Sequence, residues 1–306
     1  MRLGIDLGGT KTSVVVLDDT GQEVWRARVA TPSGDYDGTI AVIGGLVEQA
    51  EQIVGCGCSV GIGIPGAPSR VTGRIKNANS SWLNDQPLHQ DLERRLDRPV
   101  RLANDANCLV LSEVADGAAV GARAVFGVIL GTGVGGGLFV NGALVEGVNA
   151  IGGEWGHNPL PWPDASDARG ETCYCGRSGC IETWLSGPGL ARDYARGGDE
   201  SVLGEEVVAR AARGETHADE TLARWEGRLA RALATVINLV DPEVIVVGGG
   251  LSRIERLYTR VPALWGDWVF SDVVATRLVA ARHGDDSGVR GAAGLWPMAD
   301  FRLPIY

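Results

Sequence analysis

Cys173, Cys175 and Cys180 crowd into the eight residues CYCGRSGC, with His157 upstream. Three thiolates and one imidazole are the ligand set of a closed tetrahedral zinc site, and Gly176 and Gly179 let such a knuckle fold tightly. Four protein ligands leave no open position, so the expected zinc is structural, one per chain. A disulfide is the poorer reading, because six cysteines in 306 residues are no disulfide framework and a reducing compartment disfavours one. Cys56, Cys58 and Cys108 lack such companions and read as packing residues.

Glu154 precedes His157 by three residues and Glu182 follows Cys180 by two, so one metal would clip together two segments that each bring a carboxylate. With Asn104 and Asp105 they make a set of donors and acceptors suited to a polyol. Purely structural roles for the two glutamates are the alternative. If His157 binds metal through one ring nitrogen, the other is free to donate to a sugar hydroxyl. Asp105 ends a β-prone stretch beside an expected cleft, where a carboxylate can take the proton of a hydroxyl attacking a phosphoryl group. Capping of the following helix is a second role for Asp105, compatible with the first.

The stretch GIDLGGTKT offers an anion grip. Gly8 and Gly9 let backbone N–H groups approach a phosphate, while Thr10, Lys11 and Thr12 add hydroxyls and a cation. The spacing is neither a P-loop nor a dinucleotide-binding turn, since a strand follows. Asp6 is placed for a metal-bound water near those phosphates. Gly131, Thr132, Gly133 and Gly135 in GTGVGGG repeat the kit without the lysine. Gly248, Gly249 and Gly250 follow the apolar VIVV, and three glycines before a helix let a nucleotide approach the backbone. Each motif alone could be an ordinary turn; two hairpins and a terminal glycine run together are harder to dismiss.

These residues need elements to hold them. Apolar, β-prone runs predict strands at 3–8, 12–17, 23–30, 59–64 and 99–103, with helices at 39–54, from its helical spacing, and 106–115. The pattern then restarts with strands at 125–130, 136–140 and 143–148. A long helical stripe from Leu222 to Val240 stops at Asp241-Pro242, and a strand at 244–247 follows. Strand, Gly-Thr turn, strand, strand occurs twice, which predicts an α/β protein of two similar lobes facing a cleft, 1–119 and 120–306. The last helix would pack back on the first lobe.

Hydrophobic residues at 44% and charged residues at 22% fit a soluble globular protein. A net charge of −10 repels a phosphate backbone, and no Lys/Arg run offsets it, so nucleic acid is not an expected partner. No apolar run is long enough for a bilayer and no leader pattern opens the chain, so the expected compartment is the cytoplasm, with no membrane contact.

GIDLGGTKT, GIGIPG, LANDAN, ILGTGVGGG, GGEWGHNP, CYCGRSGCIE and VIVVGGG, in that order and nearly spanning the chain, resemble the ROK family of bacterial sugar kinases and sugar-responsive repressors. KNANSSWLN, GHNPLPW and HGDDSGVRGAAGLW look most like the fructokinases of that family that also accept mannose. The resemblance implies an actin-like, hexokinase-like ATPase fold of duplicated ribonuclease H-like lobes, Mg-ATP as donor, zinc in the knuckle, and transfer to a hexose hydroxyl with Asp105 as base. It assigns sugar contacts to Asn79, Asn104, Glu154, His157 and Glu182, phosphate contacts to Gly8 through Thr12 and Gly131 through Gly133, and the adenosine side to Gly248 through Gly250. A homodimer is expected. The family's repressors carry a helix-turn-helix ahead of the first strand, which here begins at residue 3. The expected activity is therefore ATP-dependent phosphorylation of a hexose, D-fructose first, with glucose, mannose or an N-acetylhexosamine as other acceptors and a catalytically silent sugar sensor as the rival class.

Overall fold

Leu3, Ile5 and Leu7 alternate along the first strand and are almost fully buried, as period-2 geometry requires of a strand that feeds a core. The computed structural model describes residues 1–167, 170–198 and 201–296. Its first strands are β1 (Arg2–Leu7), β2 (Lys11–Leu17) and β3 (Glu23–Ala30), followed by helix α1 (Tyr36–Val54) and β4 (Ser59–Ile64). Next come the short pair β5 (Ala67–Pro68) and β6 (Ile75–Lys76), then α2 (Leu88–Leu96), β7 (Val100–Asn104) and α3 (Asp105–Ala115). The first sheet runs β3-β2-β1-β4-β7. Its first three strands are antiparallel, with Ile5 opposite Val14, and the rest parallel, with Ile5 opposite Ile62. Helix α1 is closed at both ends: Asp35 accepts the Gly38 N–H at 2.9 Å, and Gly55 turns left-handed with φ 73°.

The second half opens with β8 (Ala124–Leu130), β9 (Val134–Val140) and β10 (Ala143–Leu144). Helices α4 (Ile181–Leu185), α5 (Gly187–Ala195), α6 (Gly204–Ala212) and α7 (Thr216–Val240) follow, then β11 (Val244–Gly248), α8 (Leu257–Trp265), β12 (Arg277–Ala280) and α9 (Ser287–Ala293). The second sheet runs β10-β9-β8-β11-β12, with β8, β11 and β12 parallel. Both sheets thus share one topology, an antiparallel meander continued by two parallel strands, and the internal repeat is a repeat of fold.

The expected strand at 143–148 ends at Leu144. Gly147 takes φ 76° and the Gly152 N–H returns to the Glu146 carbonyl at 2.9 Å, so the chain turns back before the strand can lengthen. Contacts divide the chain into two units. One holds Met1–Val120, Gly137–Gly152 and the described residues from Asp286; the other holds Gly121–Gly136 and Gly153–Asp285. The chain passes from the second unit to the first within β9. In the first unit α9 lies so close to β1 that a Cβ at Gly4 would stand 2.1 Å from the Val289 carbonyl oxygen. In the second, α7 buries Trp225, Leu229 and Leu233.

Candidate active site

The first unit assembles the first Gly-Thr hairpin, two asparagines and an aspartate. The Gly8 N–H closes on the Lys11 carbonyl at 3.0 Å, leaving Thr10 and Lys11 exposed at the tip. Thr12 does not join them. It is fully buried, its hydroxyl 2.8 Å from that of Thr31, whose own proton goes to the Gly8 carbonyl at 2.8 Å. The Thr12 side chain therefore braces the turn from inside.

Asp6 lies on β1 opposite Ser13 and is half-buried. Burial raises its pKa to about 6, with Lys11 and Arg28 pulling the other way.

Asn104 and Asp105 stand where β7 becomes α3. The cap of α3 is Asn104, whose side chain accepts the Ala106 N–H at 2.9 Å while its amide donates to the Gly66 carbonyl at 3.3 Å. One Asp105 carboxylate oxygen also lies 2.8 Å from that N–H. Gly66 in turn packs on Ala78, since a Cβ there would meet the Ala78 nitrogen at 2.7 Å. Asn79 is exposed beside Ala78, and the neighbouring Ser80 hydroxyl would stand 3.1 Å from a Cβ at Gly9. Asn104, Asn79 and the first hairpin are thus joined by a short chain of contacts within one unit.

The second unit assembles the other hairpin, the knuckle and the glycine run. The Gly131 N–H bonds the Gly133 carbonyl at 3.0 Å across the turn, with Thr132 exposed at its tip. Trp155 buries its ring edge-on against Phe126 and donates to the Gly135 carbonyl at 3.1 Å, which ties the 154–157 turn to the start of β9. Gly249 has φ 82°, and a Cβ there would stand 2.4 Å from the Leu130 carbonyl oxygen, so only glycine fits where β11 ends against β8. The run opens into a single 3-10 turn, Gly250–Arg253, rather than directly into an α-helix; Gly248 is buried and Gly250 exposed.

His157, Cys173, Cys175 and Cys180 converge, with all four donor atoms within 4.8 Å of one another. The His157 Nδ1 is 3.5 Å from the Cys173 Sγ, and the Cys175 and Cys180 sulfurs are 3.6 Å apart. A zinc tetrahedron has edges of about 3.5 Å between nitrogen and sulfur and about 3.8 Å between sulfurs. The donor set fits zinc in both chemistry and size.

The other imidazole nitrogen is not free. Nε2 of His157 is 3.0 Å from the Tyr174 hydroxyl, and the two rings meet edge-on at 5.1 Å. The partner of this nitrogen in the structure is Tyr174. Glu154 opens the 3-10 turn Trp155–His157. Glu182, at the start of α4, accepts the Val134 N–H at 2.9 Å. Tyr174, Trp155 and Thr31 are the supporting residues that spacing did not single out; only Tyr174, inside the cysteine run, carried a positional signal.

This fold is that of the two-lobed α/β sugar kinases. The chain belongs to the ROK family, whose profile matches residues 2–299. It is 41% identical over 300 residues to an N-acetyl-D-glucosamine kinase of Yersinia pseudotuberculosis, covering 96% of this chain and 98% of the relative. It is 42% identical to one of Salmonella typhimurium, covering 96% and 99%. Among solved structures, the ROK hexokinase of Thermus thermophilus aligns with a TM-score of 0.83 at 30% identity, covering 95% of this chain and 96% of the other. A ROK glucokinase of Streptomyces griseus in complex with glucose and AMPPNP aligns at 0.80 with 28% identity, covering 96% and 98%.

Proposed function

We propose that this protein phosphorylates N-acetyl-D-glucosamine with Mg-ATP. Both the kinase activity and the acceptor rest on identity above 40% to N-acetyl-D-glucosamine kinases over nearly the whole chain. Those relatives favour the N-acetylhexosamine reading over fructose. The stretches that suggested fructose, one of which spans α9, do not weigh as much as identity along 96% of the chain.

In this reading Asp105 accepts the proton of the attacking sugar hydroxyl, while Asn79 and Asn104 orient the sugar. On the second unit, Glu154 and Glu182 are the polar side chains offered for sugar contact. Backbone amides of the two Gly-Thr hairpins stabilise charge on the transferred phosphoryl group, where most of the barrier reduction in such chemistry arises. Mg²⁺, when bound with the nucleotide, supplies charge neutralisation at the phosphates, and Asp6 would hold a water of its shell. His157, Cys173, Cys175 and Cys180 would hold zinc as a structural ion.

The test is sugar-dependent ADP release across N-acetylglucosamine, N-acetylmannosamine, glucose, mannose and fructose. N-acetylglucosamine should show the largest kcat/KM, because a site that hydrogen-bonds an acetamido group leaves those partners unpaired with a plain hexose. A larger kcat/KM for any other sugar replaces the acceptor. Sugar binding without turnover moves the protein to the class of sensors.

A further inference from the structure

Glu182 touches two things at once. Oε2 accepts the Val134 N–H at 2.9 Å, and Oε1 lies 4.0 Å from the Cys173 sulfur. The carboxylate reaches the hairpin backbone only because residue 133 is glycine, since a Cβ there would stand 2.7 Å from Oε2. A few residues on, the Gly187 N–H donates to the Gly131 carbonyl at 2.8 Å. The segment 182–187 therefore grips the second phosphate hairpin on both sides of its tip, at Gly131 and at Val134.

The grip is rigid because of where the segment begins. Cys180 immediately precedes α4 and is anchored in the cluster, the Ile181 N–H bonds the Asn158 carbonyl at 2.9 Å, and Ile181, Trp184 and Leu185 are buried. Across the tip itself the Gly131 N–H bonds the Gly133 carbonyl. Two glycines and an exposed threonine have little side-chain packing of their own, so their amides need an external frame to stay aimed.

We propose that Glu182 is a positioning residue that couples the cysteine-histidine cluster to the second phosphate hairpin, so that the metal knuckle orders the nucleotide side of the site. The inference rests on the kinase reading for the role of the hairpin, but not for the coupling itself. An outer partner that fixes a ligand loop commonly controls affinity through order rather than contact.

Hydrogen exchange of the Val134 amide reads the coupling directly. In zinc-loaded wild-type protein this amide should be protected. Removing zinc with a chelator, or Glu182→Ala, should speed its exchange about tenfold, the loss of one charge-assisted bond. Glu182→Gln, which keeps an acceptor, should restore most of the protection. Unchanged exchange of α7 core amides, such as Leu229 and Leu233, confirms that each form is folded. Val134 exchange that ignores both chelation and Glu182→Ala overturns the proposal, as does equal loss in Glu182→Gln and Glu182→Ala. AMPPNP titration of the same samples should show weaker nucleotide binding by about fivefold or more wherever protection is lost. Failure of wild-type protein to bind AMPPNP would count against the kinase reading and leave the exchange result standing.

Discussion

Thr12 and Thr31, nineteen positions apart, share a hydroxyl-hydroxyl bond of 2.8 Å beneath the first phosphate hairpin. Thr31 donates onward to the Gly8 carbonyl, so Thr12 must be the donor to Thr31, and the direction of the whole relay is set. The Thr31 N–H also bonds the Thr10 carbonyl at 3.0 Å, which gives β3 a second hold on the turn.

Thr31→Val keeps the β-branched shape but strands the Gly8 carbonyl and the Thr12 hydroxyl. The expected cost is about 1–3 kcal/mol in urea unfolding, with a raised KM for ATP and a smaller change in KM for sugar. A KM for ATP equal to wild type would show that the relay does not aim the hairpin.

Asp105→Asn should retain sugar and nucleotide binding while kcat falls by about two orders of magnitude or more. The change is isosteric, and the Ala106 N–H keeps the Asn104 side chain as its acceptor. Near-normal turnover would remove Asp105 as the base.

Metal analysis of purified protein should give about one zinc per chain. Cys175→Ser should lose it and lower Tm, because the four ligands join segments before and after residue 170 into one knuckle. Metal-free protein whose three clustered thiols react freely, with Tm unchanged, would refute the site.

Asp6 gives a pH signature. Its folded-state pKa, about 6, lies above the ordinary 3.8 because burial disfavours the carboxylate. The stability it contributes is therefore fully present below 3.8 and is lost as pH rises through about 6. If the ionised form serves a metal-bound water, as proposed, activity should run the other way: kcat/KM should rise with pH across an acid limb near 6. Asp6→Asn should abolish that limb and lower kcat/KM by about tenfold or more. A limb that survives in Asp6→Asn belongs to another group.

Arg228 is 1% exposed and bonds Asp167 at 2.7 Å and Asp193 at 2.8 Å, joining α7 to α5 and to the turn ahead of the knuckle. Arg228→Met leaves two buried carboxylates sharing fewer cations, at a cost of about 3 kcal/mol in urea unfolding. Arg228→Lys should not restore it, because a single ammonium cannot reach both carboxylates with the same fork. Wild-type stability in either variant would show that Arg231 and Arg224 suffice.

Much of this architecture was legible from local pattern. Strands 23–30 and 59–64 have the expected bounds to the residue, and the two Gly-Thr turns and the cysteine run appear where spacing placed them. What failed locally failed for a tertiary reason. The stretch ALVEGV is rich in apolar, β-prone residues, yet its strand ends at Leu144 because the Gly147 backbone adopts the left-handed region and the chain folds back on Glu146. Asp105 looked like the helix cap, but the side chain one residue earlier took that place.

By itself the sequence determined the periodicities, the turns and the chemistry of the donor sets, because these depend on neighbours within a few residues. Only the tertiary structure decided which way each functional side chain is committed. Thr12 turns inward to Thr31 on another strand, His157 gives its second nitrogen to Tyr174, and Glu182 reaches back 48 positions to Val134. A polar atom takes whichever partner folding leaves within hydrogen-bond reach, and those partners are set by strand register and by the packing of distant segments, not by local spacing.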